Sequence, residues 1–177
     1  PLLRDHLSHW VNDYREWSGQ RSKGECYAAV CYLSQYGFSD RISQAIAHGI
    51  GKAGAQVQLV DLRATDAQEL TALIGDAQAV VVPTWPAEAD SELQTSIGTL
   101  LAGLHPKQLV GVYDAFGGND EPIDAVALQI TQQGQKQAFA PLRIRQLPQG
   151  GDYQRCEESG TDLGQFLTKE KTIAAMK

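Results

Sequence analysis

Basic charge, cysteine and long apolar runs are all scarce in this chain, and each shortage removes a class of function. Lys and Arg together number 15 against 21 Asp and Glu, a formal net charge of −6 over 177 residues. Binding to a nucleic-acid backbone depends on clustered Lys and Arg, so no nucleic-acid partner is expected. Cys26, Cys31 and Cys156 lack the paired spacing of a metal site and read as buried or idle thiols in a reducing compartment. No stretch approaches the ~20 apolar residues that span a bilayer. The opening PLLRDHLSHW breaks its apolar residues with charge, unlike a signal peptide, so a cytoplasmic location is expected. Also missing are the Gly-Lys-Ser/Thr of a Walker loop, the spaced glycines of a dinucleotide fingerprint, internal repeats and low-complexity segments.

What is present fits one well-cored domain with short extensions, since domains run most often to about 100–150 residues. Leu2, Leu3, Leu7, Trp10, Val11, Tyr14 and Trp17 recur at helical spacing before Ser18-Gly19-Gln20, which predicts a leading helix within residues 1–22. His6 and His9, one helical turn apart, read as part of its solvated face. Over residues 23–168 strand and helix signals alternate. Strands are expected near Cys26–Leu33, Gln56–Asp61, Ala77–Val82, Gln108–Tyr113 and Ala138–Ile144. Helices are expected near Asp40–Ala53, Ala67–Ile74, Ser91–Leu104, Ile123–Gln133 and Tyr153–Leu167. Residues 169–177 look like a charged linker, and the first residue Pro1 suggests a segment of a longer polypeptide.

The runs YAAVCYL, AVVV and LVGVY are almost continuously apolar, as strands buried on both faces of a parallel sheet must be. The expected fold is therefore α/β, a doubly wound five-stranded parallel sheet with helices on both faces. Such sheets bind ligands beyond the carboxyl ends of their strands, where the winding reverses. Three loops fall there. In Ser34-Gln35-Tyr36-Gly37-Phe38-Ser39 the hydroxyls, one glycine and the start of a helix suit a phosphate; alternatively, Ser39 or Asp40 only caps the helix. In the second loop Pro83 and Thr84 precede Trp85, which can stack on a planar ligand or simply cover the sheet edge. In the third, Ala115, Phe116, Gly117, Gly118 and Asn119 let backbone approach a ring edge, or form a turn before the next helix.

Taken together, these loops resemble the flavodoxin-like fold, whose strand order is 2-1-3-4-5. More narrowly, the chain resembles the flavodoxin-like domain of cyanobacterial flavodiiron (A-type flavo-) proteins. SQYGFSDRISQAIAHGIGKAGAQVQLVDL is similar to that family's phosphate loop, first helix and second strand. PTWPAEADSELQTSIGTLLA and LVGVYDAFGGNDEPIDAV follow its two isoalloxazine loops, and CEESGTDLGQFL its last helix. The resemblance implies electron transfer through FMN from a reduced flavin to a diiron centre that reduces dioxygen to water. Ser34, Gln35, Tyr36, Gly37, Phe38 and Ser39 would hold the FMN phosphate. Pro83, Thr84 and Trp85 would border one side of the ring, and Ala115, Phe116, Gly117, Gly118 and Asn119 the other. It also implies a diiron domain upstream that carries all the metal ligands, a flavin reductase domain downstream, and assembly into homo- or hetero-oligomers. The domain would supply no catalytic residue of its own, because the chemistry belongs to the cofactors.

The departures from the family pattern matter as much. The third loop usually reads Ser-aromatic-Gly-Trp-Ser-Gly; here Gly118 stands where a stacking tryptophan is common. The phosphate loop usually ends in Asn-Thr, and here Phe38-Ser39 is followed by the negative Asp40. Glu88, Asp90 and Glu92 occupy a loop where glycines, prolines and a histidine are common. Each lost contact removes about 1 kcal/mol, so FMN is expected to be weakly held or absent. A rival expectation is a flavin-free structural or assembly module of the same fold. A phospho-acceptor receiver domain shares the strand order, but Val82-Pro83-Thr84 and Ser34-Gln35 lack the carboxylates it needs.

Overall fold

A computed structural model describes residues 27–34, 37–85, 90–115, 122–144 and 148–176. The leading helix expected at 1–22 lies outside the described residues, as do Cys26, Gln35, Tyr36 and Phe116–Asn119. Strands and helices alternate as β1 (Tyr27–Tyr32), α1 (Ser39–Lys52), β2 (Gln56–Asp61), α2 (Ala67–Asp76), β3 (Ala79–Pro83), α3 (Ser91–Gly103), β4 (Leu109–Tyr113), α4 (Ile123–Gln132), β5 (Lys136–Gln137) and α5 (Gly150–Ala175). All pair in parallel in the order β2-β1-β3-β4-β5, the doubly wound sheet the apolar runs predict.

Strand alternation sorts the side chains into two cores. Ala28, Val30, Ala79, Val81 and Tyr113 point toward Ile42, Ile46 and Ile50 of α1 and Cys156, Leu163 and Leu167 of α5. Ala29, Cys31, Val80, Val82, Val110 and Val112 point the other way, onto apolar residues of α2, α3 and α4. The central residues Ala28–Cys31 and Ala79–Val82 are wholly buried, which is why their segments carry no polar alternation. Asp66 accepts from the N–H groups of Gln68 and Glu69 to start α2, and Asp90 accepts from Leu93 to start α3.

The packing of α1 on α5 is closest where side chains are absent. A Cβ at Gly160 would overlap the carbonyl oxygen of Ile46, one at Gly49 would overlap that of Glu157, and one at Gly164 would lie 2.7 Å from that of Ile50. The two helices therefore touch backbone to backbone. Glu157 closes the same seam, 3.0 Å from Lys52 Nζ and 3.4 Å from His48 Nδ1. This fixes α1 against the sheet, and its first turn with it.

Two expectations are corrected at the carboxyl end. The last strand is not Ala138–Ile144: β5 is the short Lys136–Gln137, and pairing resumes only as a bridge between Leu142 and Tyr113. Ala138 donates to the Val110 carbonyl and Leu142 to that of Val112, so four steps along this strand match two along β4. Phe139–Pro141 loop out in between. Pro141 has no N–H to offer a ladder, and the Phe139 ring lies directly over Gly111, where any Cβ would collide with it. The last helix is likewise longer than Tyr153–Leu167. It starts at Gly150 because Gln149 and Asp152 form a capping box, and it runs on through residues 169–175, all exposed, as an unbroken helix.

Candidate functional site at the carboxyl ends of β1, β3 and β4

The winding reverses between β1 and β3, and the loops that follow β1, β3 and β4 meet there. Hydrogen bonds tie them into one unit. Thr84 N–H donates to the Tyr113 carbonyl at 2.9 Å, Ala115 N–H to Thr84 Oγ1 at 3.0 Å, and Phe38 N–H to the Ala115 carbonyl at 2.8 Å. Thr84 and Ala115 are buried. The loop expected to hold a phosphate is thus joined directly to the loop expected to flank a ring.

Beneath this surface lies a second set of bonds. Leu33 N–H donates to Ser39 Oγ at 3.0 Å, Ser39 Oγ lies 3.0 Å from Tyr113 Oη, and Tyr113 O–H donates to the Cys31 carbonyl at 2.8 Å. With the Tyr113 proton on Cys31, Ser39 donates to Tyr113, so the hydroxyls form one directed relay. Both residues are fully buried. Burial pushes the Tyr113 phenol well above its ordinary value, so it is a neutral donor at any physiological pH. Burial likewise raises the Cys31 thiol, which leaves it inert.

The structure places the expected phosphate-loop residues as follows. Gly37 is exposed with a φ of 56°, a left-handed turn that glycine adopts without strain. Ser34 is half-buried, its N–H 3.4 Å from Asp61 Oδ1. The N–H groups of Ser39 and Asp40 start α1 with no partner among the described residues. Two expected donors are corrected: the Phe38 N–H is taken by Ala115, and the Ser39 hydroxyl faces the interior. Neither Ser39 nor Asp40 caps α1 through its side chain, since the capping residue Phe38 offers none. On the second loop Pro83 and Thr84 are buried, and Trp85 is half-buried against the core beneath α2 and α3. Arg63 Nη2 meets Asp90 Oδ2 at 2.9 Å at the edge of this loop. The Leu93 N–H and Arg63 hold the Asp90 carboxyl below its usual range.

Tyr113 and the Arg63–Asp90 pair were not singled out from sequence. A tyrosine ending an otherwise aliphatic strand, LVGVY, was the available signal for the first. Nothing local announces the second, because its partners are brought together only by the sheet.

The parallel sheet in the order β2-β1-β3-β4-β5, with the loops after β1, β3 and β4 meeting at the switch point, defines a flavodoxin-like domain. The comparisons narrow this. No family model matches the chain. The flavodoxin-like domain of a Synechococcus protein is 46% identical and superposes with a TM-score of 0.77 over 80% of this chain and 99% of its own. Diflavin flavoprotein A3 from Nostoc is 41% identical, with a TM-score of 0.79 over 86% of this chain and 99% of its own. Diflavin flavoprotein A 1 of Synechocystis is 42% identical over 177 residues, the whole of this chain but 31% of that protein. The chain belongs to the flavodoxin-like domains of the cyanobacterial diflavin flavoprotein A, or flavodiiron, proteins, and spans about a third of the curated relatives it matches.

Proposed function

We propose that this chain holds flavin mononucleotide across these loops and relays electrons within a flavodiiron protein. The observation that carries the reading is the convergence of the β1, β3 and β4 ends on the start of α1. The N–H groups of Ser39 and Asp40 offer a partial positive charge to a phosphate, with Ser34 and Gly37 beside them. The exposed turn at Gly37 and Asp40 supports this placing of the phosphate end, with the buried Ser39 behind it. Gln35 and Tyr36 complete that loop by resemblance, Pro83, Thr84 and Trp85 border one side of the ring, and Ala115, Phe116, Gly117, Gly118 and Asn119 border the other. When bound, the flavin supplies the redox chemistry; the residues of this chain bind it, orient it and limit its contact with water.

In the whole protein the electrons would come from a flavin reductase domain and pass to a diiron domain that reduces dioxygen to water, in a homo- or hetero-oligomer in the cytoplasm. Metal-soaked Flv1 flavodiiron core from Synechocystis, 31% identical over 93% of this chain and 41% of its own, superposes with a TM-score of 0.75 and supports that setting. No helix among the described residues is long and apolar enough to cross a membrane.

Specific observations favour a second reading, a flavin-free module that orders an assembly. The Phe38 N–H and Ser39 hydroxyl, two groups a phosphate could use, are satisfied within the chain, and Gly118 cannot stack on a ring. An absorbance spectrum of the chain, taken after incubation with FMN and gel filtration, separates the two. Bands near the flavin maxima that co-elute with protein support the electron-transfer reading; their complete absence supports the module.

A further inference from the structure

The buried relay under the phosphate loop has a role that packing alone does not require. We propose that Tyr113 is a positioning residue. Its hydroxyl, acting through Ser39, sets the first turn of α1 and couples that turn to the ring-side loop. The role rests on the FMN reading above.

The geometry is specific. Tyr113 ends β4, and its own carbonyl receives the Thr84 N–H while its hydroxyl reaches back under the neighbouring loop to Ser39 and the Cys31 carbonyl. One residue therefore contacts all the loops of the site. Ser39 is the first residue of α1, and its N–H and that of Asp40 are donors with no partner among the described residues. Its hydroxyl is held inward from both sides, by the Leu33 N–H and by Tyr113. A serine side chain that rotated outward would leave the Leu33 N–H buried and unpaired, which is costly. Tyr113 thus holds the Ser39 hydroxyl in the interior, in a residue that is itself fully buried, and leaves the N–H groups of Ser39 and the exposed Asp40 as the donors at the helix start. On the surface the Phe38 N–H bond to Ala115 completes the link, so a displacement of the residues after β4 is passed to the phosphate turn.

The test uses Tyr113→Phe, which keeps the buried ring and deletes only the hydroxyl, together with Ser39→Ala, Ser39→Thr and the double variant Tyr113→Phe/Ser39→Ala, all in the full chain. In ligand-free protein, amide hydrogen exchange at Leu33 and Phe38 should quicken about tenfold in Tyr113→Phe, as expected on losing one buried bond, while the Val81 amide in β3 is unchanged. Affinity for FMN should fall several-fold and affinity for riboflavin, which lacks the phosphate, should not. The double variant should be no worse than either single, because both break one unit, and Ser39→Thr should retain wild-type values. Uniform acceleration of exchange across the sheet, equal loss of FMN and riboflavin affinity, or additive single effects would overturn the proposal. A wild type that binds neither flavin defeats the FMN reading, and the exchange at Leu33 and Phe38 then still decides whether the relay holds the turn.

Discussion

Trp85 packs on the core and, in the proposed FMN reading, also borders the ring. It follows a buried strand, packs part of its indole on the core beneath α2 and α3, and is half-buried. Stacking contributes about 0.5–1.5 kcal/mol beyond area burial, so Trp85→Ala should weaken FMN several-fold. The same change removes core packing, and its melting temperature should also drop. A titration at a temperature well below the variant's melting point distinguishes the two effects: affinity equal to wild type there would assign Trp85 to packing alone. Cys156 shows the opposite case, a residue with one role. Burial pushes its thiol up to about 11, and it serves the core between α1 and α5 as a small apolar side chain.

At the scale of elements, the sequence pattern predicts each strand and helix between β1 and α4 to within one or two residues at most ends. Apolar runs without alternation specify buried strands, and acids at helix starts specify caps. The errors have local causes. The Phe139–Pro141 bulge answers to Gly111 on the adjacent strand, a contact between residues 28 apart in the chain. Gly150 and Gly151 precede the expected helix start at Tyr153, but no Cβ at either would meet an atom within 4 Å, and they lie inside a capped helix. The glycines of α5 are therefore of two kinds. Gly160→Ala must push α5 away from the Ile46 carbonyl and should cost about 1–3 kcal/mol, whereas Gly151→Ala should be neutral or stabilise by up to about 1 kcal/mol. Chemical denaturation of both variants checks this, and equal effects would show that α1 and α5 do not pack backbone to backbone. The site was legible as loops but not as bonds: the composition of Ser34–Ser39 suggests a phosphate turn, yet only the fold reveals that Tyr113 claims the Ser39 hydroxyl.

The molecule as a whole is acidic and held at its surface by a few ion pairs, which sets its response to pH. Asp90 and Asp152 have carboxyls held below the ordinary value of 3.8 chiefly by the backbone N–H groups of Leu93 and Gln149, and next by Arg63 and Arg155. A carboxyl lowered on folding stabilises the fold above its unfolded value, and that contribution is lost as pH falls through its folded value. Melting temperature should hold steady from neutral pH to about pH 5 and decline below about pH 4. Asp152→Asn should flatten the acid limb slightly, because the half-buried group is at the surface and screened; a limb unchanged in this variant would remove Asp152 from the account.

The central claim is that this fold still takes FMN, through a backbone phosphate turn and one aromatic wall. Quenching of FMN fluorescence by the purified chain at rising protein concentration tests it most directly. The account predicts saturable one-to-one binding with Kd of roughly tenths of a micromolar, the result of about 1 kcal/mol lost at each of Gly118, Phe38 and Ser39 relative to a nanomolar site. No quenching up to millimolar protein would contradict the claim and leave the domain as a flavin-free module, while nanomolar, stoichiometric binding would contradict the weakness assigned to Gly118 and to the engaged Phe38 and Ser39 groups.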